Sequence, residues 1–226
     1  MLQFITDSPT VAGTVAQARD ALEGGCRWVQ VRMKNATDSE VLEAATEIKN
    51  MAAAYGAKVI IDDRVHLVAP SGADGVHLGK GDMAPDTARQ LLPPGTIIGA
   101  TINRFEDISE RRLQGADYYG AGPFRFTTTK QRLAPVLGTE GYRQLIRSLR
   151  EAGITRPVVA IGGITQADVP ALLDTGIDGI AVSGAISRTD NPIEATRLFL
   201  ALLSRLLNHN HFSSSCSLHS TFRLCE

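Results

Sequence analysis

The amino-acid sequence predicts a single-domain α/β fold, a (β/α)8 barrel of the TIM type. Short apolar runs alternate with helix-period segments from one end of the chain to the other. Eight such runs occur, and most are apolar at both parities, as expected of strands buried on both faces of a parallel sheet. A short repeat also recurs between helix ends and strand starts: Gly72-Ala-Asp-Gly75, Gly115-Ala-Asp-Tyr118 and Gly176-Ile-Asp-Gly179. In each copy the Gly stops a helix and the Asp begins a strand. A doubly wound open sheet is the competing arrangement. It usually has fewer strands and often a Gly-x-Gly-x-x-Gly turn after the first, whereas here the first run ends in Thr6-Asp7-Ser8-Pro9.

In chain order the expected strands are Leu2–Thr6, Trp28–Arg32, Val59–Asp62, Gly75–Leu78, Ile97–Ala100, Tyr118–Gly120, Val158–Ile161 and Gly179–Val182. Between the first two, Val11, Val15, Ala18 and Leu22 form one apolar helical stripe that stops at Gly24-Gly25. Thr37-Asp-Ser-Glu40 is a capping box, in which Thr37 caps the amide of Glu40 and Glu40 reaches back. The helix it opens carries Leu42, Ala45, Ile48 and Ala52 and stops at Gly56. The helix starting near Arg64 reads as short. Thr165-Gln-Ala-Asp168 repeats the capping-box pattern, and Asn191-Pro192 opens the last helix, with Ile193, Leu200, Leu203 and Leu207 along its buried side. The barrel domain is expected over 1–207. The Ser- and His-rich stretch 208–226 has no period and is expected to be a disordered tail without a zinc-ligand spacing.

The 226 residues are 43% hydrophobic and 21% charged, which suits one globular domain. Lys plus Arg number 23 against 24 Asp plus Glu, so nucleic acid and anionic membrane are not expected partners. No apolar run approaches the roughly 20 residues of a membrane span, and no signal peptide is present, which points to the cytosol. Cys26, Cys216 and Cys225 make no disulfide or metal framework, and Cys26 is expected in the core. Composition carries no information on oligomeric state.

In this barrel type, chemistry sits where strands exit at their C-terminal ends. The second strand exits through Gln30-Val31-Arg32-Met33-Lys34, whose alternation puts Gln30, Arg32 and Lys34 on one side. Two cations and an amide there suit a phosphate or pyrophosphate, or equally an exposed basic loop. The third exits through Asp62-Asp63-Arg64, and the fourth is followed by Gly79-Lys80-Gly81-Asp82. Strands about 4.8 Å apart let carboxylates at neighbouring exits share one ion, and Asp63 and Asp82 match the one or two carboxylates Mg2+ takes. Turn chemistry explains Asp82 as well. The sixth strand runs into Gly120-Ala-Gly-Pro-Phe-Arg-Phe-Thr127-Thr128-Thr129-Lys130, a loop dense in donors for an anion. Gly162-Gly163 and Val182-Ser183-Gly184 follow the seventh and eighth strands, where barrels commonly bind phosphate. His77 lies inside a strand and reads as a buried structural residue. No nucleophile–base pairing is evident, which argues against covalent hydrolysis. No Lys falls inside an expected strand, which argues against a Schiff-base aldolase.

Gln30-x-Arg32-x-Lys34, Asp62-Asp63-Arg64, Ala73-Asp-Gly-Val-His-Leu-Gly79 with Asp82, Gly122-Pro123 followed by Thr127-x-Thr129-Lys130, Ala160-Ile-Gly-Gly-Ile164 and Val182-Ser-Gly-Ala-Ile186 stand in an order and spacing that resemble the thiamine phosphate synthase family. The likeness spans about Leu2 to Leu207. It implies a transferase that joins an aminopyrimidine diphosphate to hydroxyethylthiazole phosphate with Mg2+, giving thiamine phosphate and pyrophosphate. It implies that Gln30, Arg32 and Lys34 bind the pyrimidine diphosphate, that Lys130 holds its pyrophosphate and that Asp63 and Asp82 bind Mg2+. Lys130, Arg32 and Lys34 are then the catalytic charges. Thr101 falls near the pyrimidine, Thr127 and Thr129 contact the thiazole phosphate, and Gly163, Val182 and Ser183 surround its phosphoryl group. At position 62, a substrate contact in the family, Asp replaces the usual Asn and when ionised cannot donate the amide hydrogens. Lys80 replaces a frequent Gln, which implies an extra cation near the diphosphate. A thiazole tautomerase-like relative or a non-catalytic thiamine-phosphate binding protein are the competing readings.

Overall fold

Eight parallel strands close in chain order into a barrel: β1 (Leu2–Ile5), β2 (Trp28–Val31), β3 (Lys58–Asp62), β4 (Gly75–Leu78), β5 (Ile97–Ile102), β6 (Tyr118–Ala121), β7 (Val158–Ile161) and β8 (Gly179–Val182), with β8 pairing back onto β1. The structure is a computed structural model describing residues 1–110, 113–126 and 135–212, with 205–212 as backbone only. Each expected strand is present, its ends within two residues of the expected ones. Lys58 opens β3, so one lysine does lie in a strand. It sits at the end away from the mouth and pairs with Asp74 at 3.0 Å, which keeps it from Schiff-base chemistry in the barrel.

The helices α1 (Val11–Glu23), α2 (Asp38–Ala53), α3 (Val68–Ser71), α4 (Pro85–Leu91), α5 (Asp107–Glu110), α6 (Gly138–Glu151), α7 (Val169–Leu173), α8 (Gly184–Ser187) and α9 (Pro192–Phe212) surround the strands. The helix after β3 is short as expected: one turn of 3-10 helix, Val65–Leu67, leads into α3. Both capping boxes form, at Thr37–Glu40 and Thr165–Asp168. On α2 the buried stripe is Val41, Ala44, Ala45, Ile48 and Ala52, so Val41 takes the place expected for Leu42. On α9 the buried positions are Ala195, Thr196, Phe199 and Leu203, while Ile193 and Leu200 are only partly covered. The largest side chain, Phe199, sets the face. Leu207 and Cys216, Cys225 fall outside the described side chains. The backbone of α9 continues through 212, and the remainder of the 208–226 stretch lies outside the described residues.

Two apolar layers hold the barrel. The larger lies between strands and helices and contains Cys26, fully buried, whose thiol burial pushes up to about 11. The smaller lies inside, around Ile5, Tyr118, Val159 and Ala181 with Trp28, Ile97 and Ile161 packed against it. Among the buried polar side chains, Gln3 and His77 meet at Tyr118 in that interior. His77 Nδ1 meets the Tyr118 hydroxyl at 2.9 Å and its Nε2 meets Thr101 Oγ1 at 3.0 Å, while Gln3 Nε2 donates to the same phenol at 3.2 Å. This is the hydrogen-bonded core histidine expected from its place in a strand. Room for these side chains comes from glycine: a Cβ at Gly99 would lie 2.2 Å from the Tyr118 ring, and one at Gly120 would lie 2.8 Å from His77 Cε1.

The repeated Asp closes the bottom of the barrel by one device. Asp74, Asp117 and Asp178 each accept a hydrogen bond from the backbone N–H of Val59, Ile98 and Val158 at 2.9, 2.8 and 2.8 Å. Each returns its own N–H to the carbonyl of that same residue. An N–H near the start of β3, β5 and β7 is thereby satisfied.

Candidate active site

β2 and β3 deliver their exit residues side by side, because Gln30 pairs with Ile60 and Val31 with Ile61 in register. Gln30 is buried, and its Nε2 donates to Asp62 Oδ1 at 2.7 Å. Lys34 Nζ lies 2.9 Å from Asp62 Oδ2 and also contacts Asp63, and Arg32 Nε lies 3.5 Å from Asp62 Oδ2. The period-two alternation thus places Gln30, Arg32 and Lys34 on one acidic neighbour.

Asp63 turns the chain. Its φ of 64° is left-handed, a conformation Asp tolerates better than most residues, and its N–H donates to the His77 carbonyl at 2.8 Å. Asp82 reaches back from the β4–α4 loop and accepts the Gly79 N–H at 2.6 Å. A Cβ on Gly79 would stand 2.8 Å from Asp82 Oδ2 and 3.8 Å from Asp63 Oδ1, so the two carboxylates gather over a glycine.

Two cations, Arg32 and Lys34, face three carboxylates here, and the protonation pattern follows. Burial pushes Asp62 above the ordinary carboxylate range, with Asp63 adding to it against the pull of Lys34 and Arg32. Burial also disfavours the Asp63 anion, but Asp82 and Lys34 outweigh it and hold Asp63 low. Asp82 is pushed up to about 6, first by burial and then by Asp63. A proton between these two carboxylates would reside on Asp82, the one that holds it more readily. Asp63 Oδ1 is otherwise buried without a donor. A divalent cation in place of that proton would satisfy both groups, so the pair fits Mg2+, which needs few protein carboxylates when phosphate and water complete its shell.

The opposite half of the mouth is lined differently. Gly162 and Gly163 have φ of 103° and 69°, and Gly163 leaves no room for a Cβ, which would lie 2.5 Å from the Arg125 side chain. Together with Val182, Ser183, Gly184 and Arg32 they line a cavity of about 460 Å³. Ser183 Oγ is buried there without a hydrogen-bond partner. Arg32 therefore stands at both places: it pairs with Asp62 and lines the cavity.

Of the residues singled out from sequence, Gln30, Arg32, Lys34, Asp62, Asp63 and Asp82 form one polar cluster, and Arg32, Gly163, Val182 and Ser183 share the cavity. Thr101 is buried at the end of β5 and joins through His77. Thr127, Thr129 and Lys130 lie outside the described residues. Lys80 is paired with Asp107 at 2.7 Å. Asp107 is almost fully buried and also accepts the Asn103 N–H at 2.7 Å. Sequence reading missed Asp107, Asp7 and Arg188. The last two line up only once β1 and β8 meet; the one signal available was an Asp directly after the first strand.

Residues 2–186 match the thiamine monophosphate synthase (TMP-TENI) family. The chain is 51% identical over 199 residues to a thiamine-phosphate synthase of Bacteroides fragilis, covering 88% of this chain and 98% of that one. It is 38% identical over 206 residues to a thiamine-phosphate synthase of Pyrococcus horikoshii, covering 91% and 96%. The solved thiamine phosphate pyrophosphorylase of Pyrococcus furiosus superposes with a TM-score of 0.80 at 36% identity, over 91% of this chain and 96% of that one. The chain belongs to the thiamine monophosphate synthase family.

Proposed function

We propose that the protein is a thiamine phosphate synthase: a transferase that joins an aminopyrimidine diphosphate to hydroxyethylthiazole phosphate and releases pyrophosphate. The observation that carries this reading is that Arg32 both pairs with the acidic cluster and lines the glycine-walled cavity. Two anionic substrates seated in the two halves would meet at that side chain.

Asp63 and Asp82 would hold Mg2+, and Gln30, Arg32, Lys34, Asp62 and Lys130 would bind the pyrimidine diphosphate. Bound there, Mg2+ supplies positive charge to the departing pyrophosphate. Arg32 and Lys34 add theirs, from positions set before the reaction begins, and Lys130 would contribute a further charge. Thr101 would orient the pyrimidine, with its hydroxyl held by His77. Thr127 and Thr129 would steady the thiazole phosphate, whose phosphoryl group would sit by Gly163, Val182 and Ser183.

The chemistry is substitution at the CH2 of the pyrimidine. The C–O bond to pyrophosphate breaks first, the ring amino group stabilises the resulting cation, and the thiazole nitrogen lone pair forms the new C–N bond. No general base is required, which agrees with a mouth whose buried histidine has both ring nitrogens engaged. Alignment and exclusion of water are then the remaining tasks of the walls. A thiazole tautomerase-like relative has no use for the Asp63–Asp82 pair, and a non-catalytic binding protein would keep the phosphate loops without turnover; neither reading is favoured.

Among the described residues no helix is long and apolar enough to cross a membrane, and both substrates are water-soluble, which suits the cytosol. The test is an assay with both substrates, with and without Mg2+, following thiamine phosphate and pyrophosphate. Mg2+-dependent formation of the two in equal amounts is expected. Thiazole phosphate binding with no product would overturn the synthase reading.

A further inference from the structure

Asp7 leaves the mouth directly after β1, and Arg188 follows α8, 181 positions later. The carboxylate of Asp7 is fully engaged. Its Oδ2 accepts Arg188 Nε at 3.2 Å and Nη2 at 2.8 Å, and its Oδ1 accepts Ser187 Oγ at 2.9 Å and Gln17 Nε2 at 2.8 Å. Gln17 Oε1 in turn accepts the backbone N–H of Asp7 at 3.0 Å. Burial alone would raise Asp7, but these donors outweigh it and hold the group low and ionised.

The consequence falls on Arg188. The Asp7 side chain is 8% exposed while that of Arg188 is 65% exposed, so a buried anion anchors an open cation. The arginine lies back over Gly184, where a Cβ would stand 3.2 Å from its Nε. It lines the cavity together with Gly163 and Ser183, whose Oγ is the buried hydroxyl without a partner. A guanidinium carries five N–H donors, and Asp7 engages those on Nε and Nη2 only. β8 stands across the closed barrel from β4, so this cation serves the half of the mouth away from Asp63 and Asp82. An arginine fork fixed at one edge and open at the other is suited to a phosphate.

We propose that Arg188 is a further substrate-binding residue, which takes the phosphate of the thiazole substrate, and that Asp7 is the residue that positions it. The proposal rests on the reading of the cavity as the thiazole phosphate site. It predicts discrimination: the phosphorylated thiazole is favoured over its free alcohol because Arg188 contributes only when the phosphate is present.

The experiment measures binding of hydroxyethylthiazole phosphate and of unphosphorylated hydroxyethylthiazole to the full chain by calorimetry, beside turnover with saturating diphosphate. Arg188→Gln is expected to weaken binding of the phosphate, and raise its KM, about tenfold, as for loss of a charge-assisted hydrogen bond. Binding of the free alcohol and kcat should stay within about twofold. Arg188→Lys, which keeps the charge without the fork, and Asp7→Asn, which frees the guanidinium, should fall between. An unchanged Kd in a folded Arg188→Gln protein, or equal loss for both thiazoles, overturns the proposal while an active wild type upholds the synthase reading. Arg188-dependent phosphate binding in a wild type without turnover supports the proposal and overturns the synthase reading. Absence of thiazole phosphate binding in the wild type overturns the proposal, and absence of turnover with it overturns the synthase reading as well.

Discussion

Gln30 and Asp62 meet across the β2–β3 exits, amide to carboxylate, at 2.7 Å in a buried position. The bond fixes one carboxylate oxygen, and Lys34 at 2.9 Å meets the other. An Asn at 62 could keep the first contact through its carbonyl oxygen but would release the lysine from a charge partner. Asp62→Asn should therefore leave the fold intact and lower KM for the diphosphate by several-fold, because a buried anion no longer competes with it. Steady-state kinetics at fixed thiazole phosphate checks this, and a raised KM would contradict it.

Removing either carboxylate over Gly79 should act on the metal. Asp63→Asn and Asp82→Asn are each expected to raise the Mg2+ concentration needed for half-maximal rate by more than about tenfold, given what even supporting groups contribute at metal sites. Mg2+ titration of activity gives the shift directly. An unaltered titration would place the metal elsewhere.

Lys130, implied by the family likeness alone, carries a kinetic prediction. If it stabilises charge on the departing pyrophosphate, Lys130→Ala should lose about 10²-fold in kcat, as for removal of a preorganised donor. A change confined to KM would reduce it to a binding residue.

Asp74 supports a prediction about acid stability. Burial raises its pKa, but Lys49 at 2.6 Å, the Val59 N–H and Lys58 outweigh that and leave it low. A group depressed in the folded state contributes stability that is present above its unfolded value, about 3.9, and is lost as pH falls through the folded one. Asp74→Ala should cost about 1–3 kcal/mol at neutral pH, since a strand N–H and two cations lose their partner. The gap to wild type in urea denaturation should narrow below about pH 4. A gap independent of pH would mean the loss is one of packing.

The interior phenol offers a separate test of the core. Tyr118→Phe strands Gln3 Nε2 and His77 Nδ1 inside the barrel. Two buried polar side chains each then lose a hydrogen bond, and destabilisation of about 1–3 kcal/mol is expected by the same denaturation measurement. Wild-type stability would show that the two groups find other partners.

The barrel was legible in the sequence because its rules are local. An apolar run at both parities buries both faces wherever it falls, and a Gly ends a helix; the Asp before β4, β6 and β8 was legible as a repeat, but its partner, an N–H of the neighbouring strand, was not. Gln30, Arg32 and Lys34 were placed on one side by the two-residue period of an extended chain, and Asp63 and Asp82 by the spacing of neighbouring strands. Which face of a helix is buried was less secure: on α2, Leu42 and Val41 are both apolar, and only packing on the sheet selected Val41. Pairings between distant residues needed the closed barrel. Lys80 has in its own segment no sign that Asp107 will hold it, and Asp7 has none of Arg188, because such partners are chosen by where loops end in space. Local patterning was enough to locate the strands, the helices between them and the cluster at the exits of β2, β3 and β4. Packing on the sheet and the meeting of neighbouring loops decided the helix face and the Lys80–Asp107 pair, and closure of β8 onto β1 decided the cavity, since it brings residues after the first and last strands together.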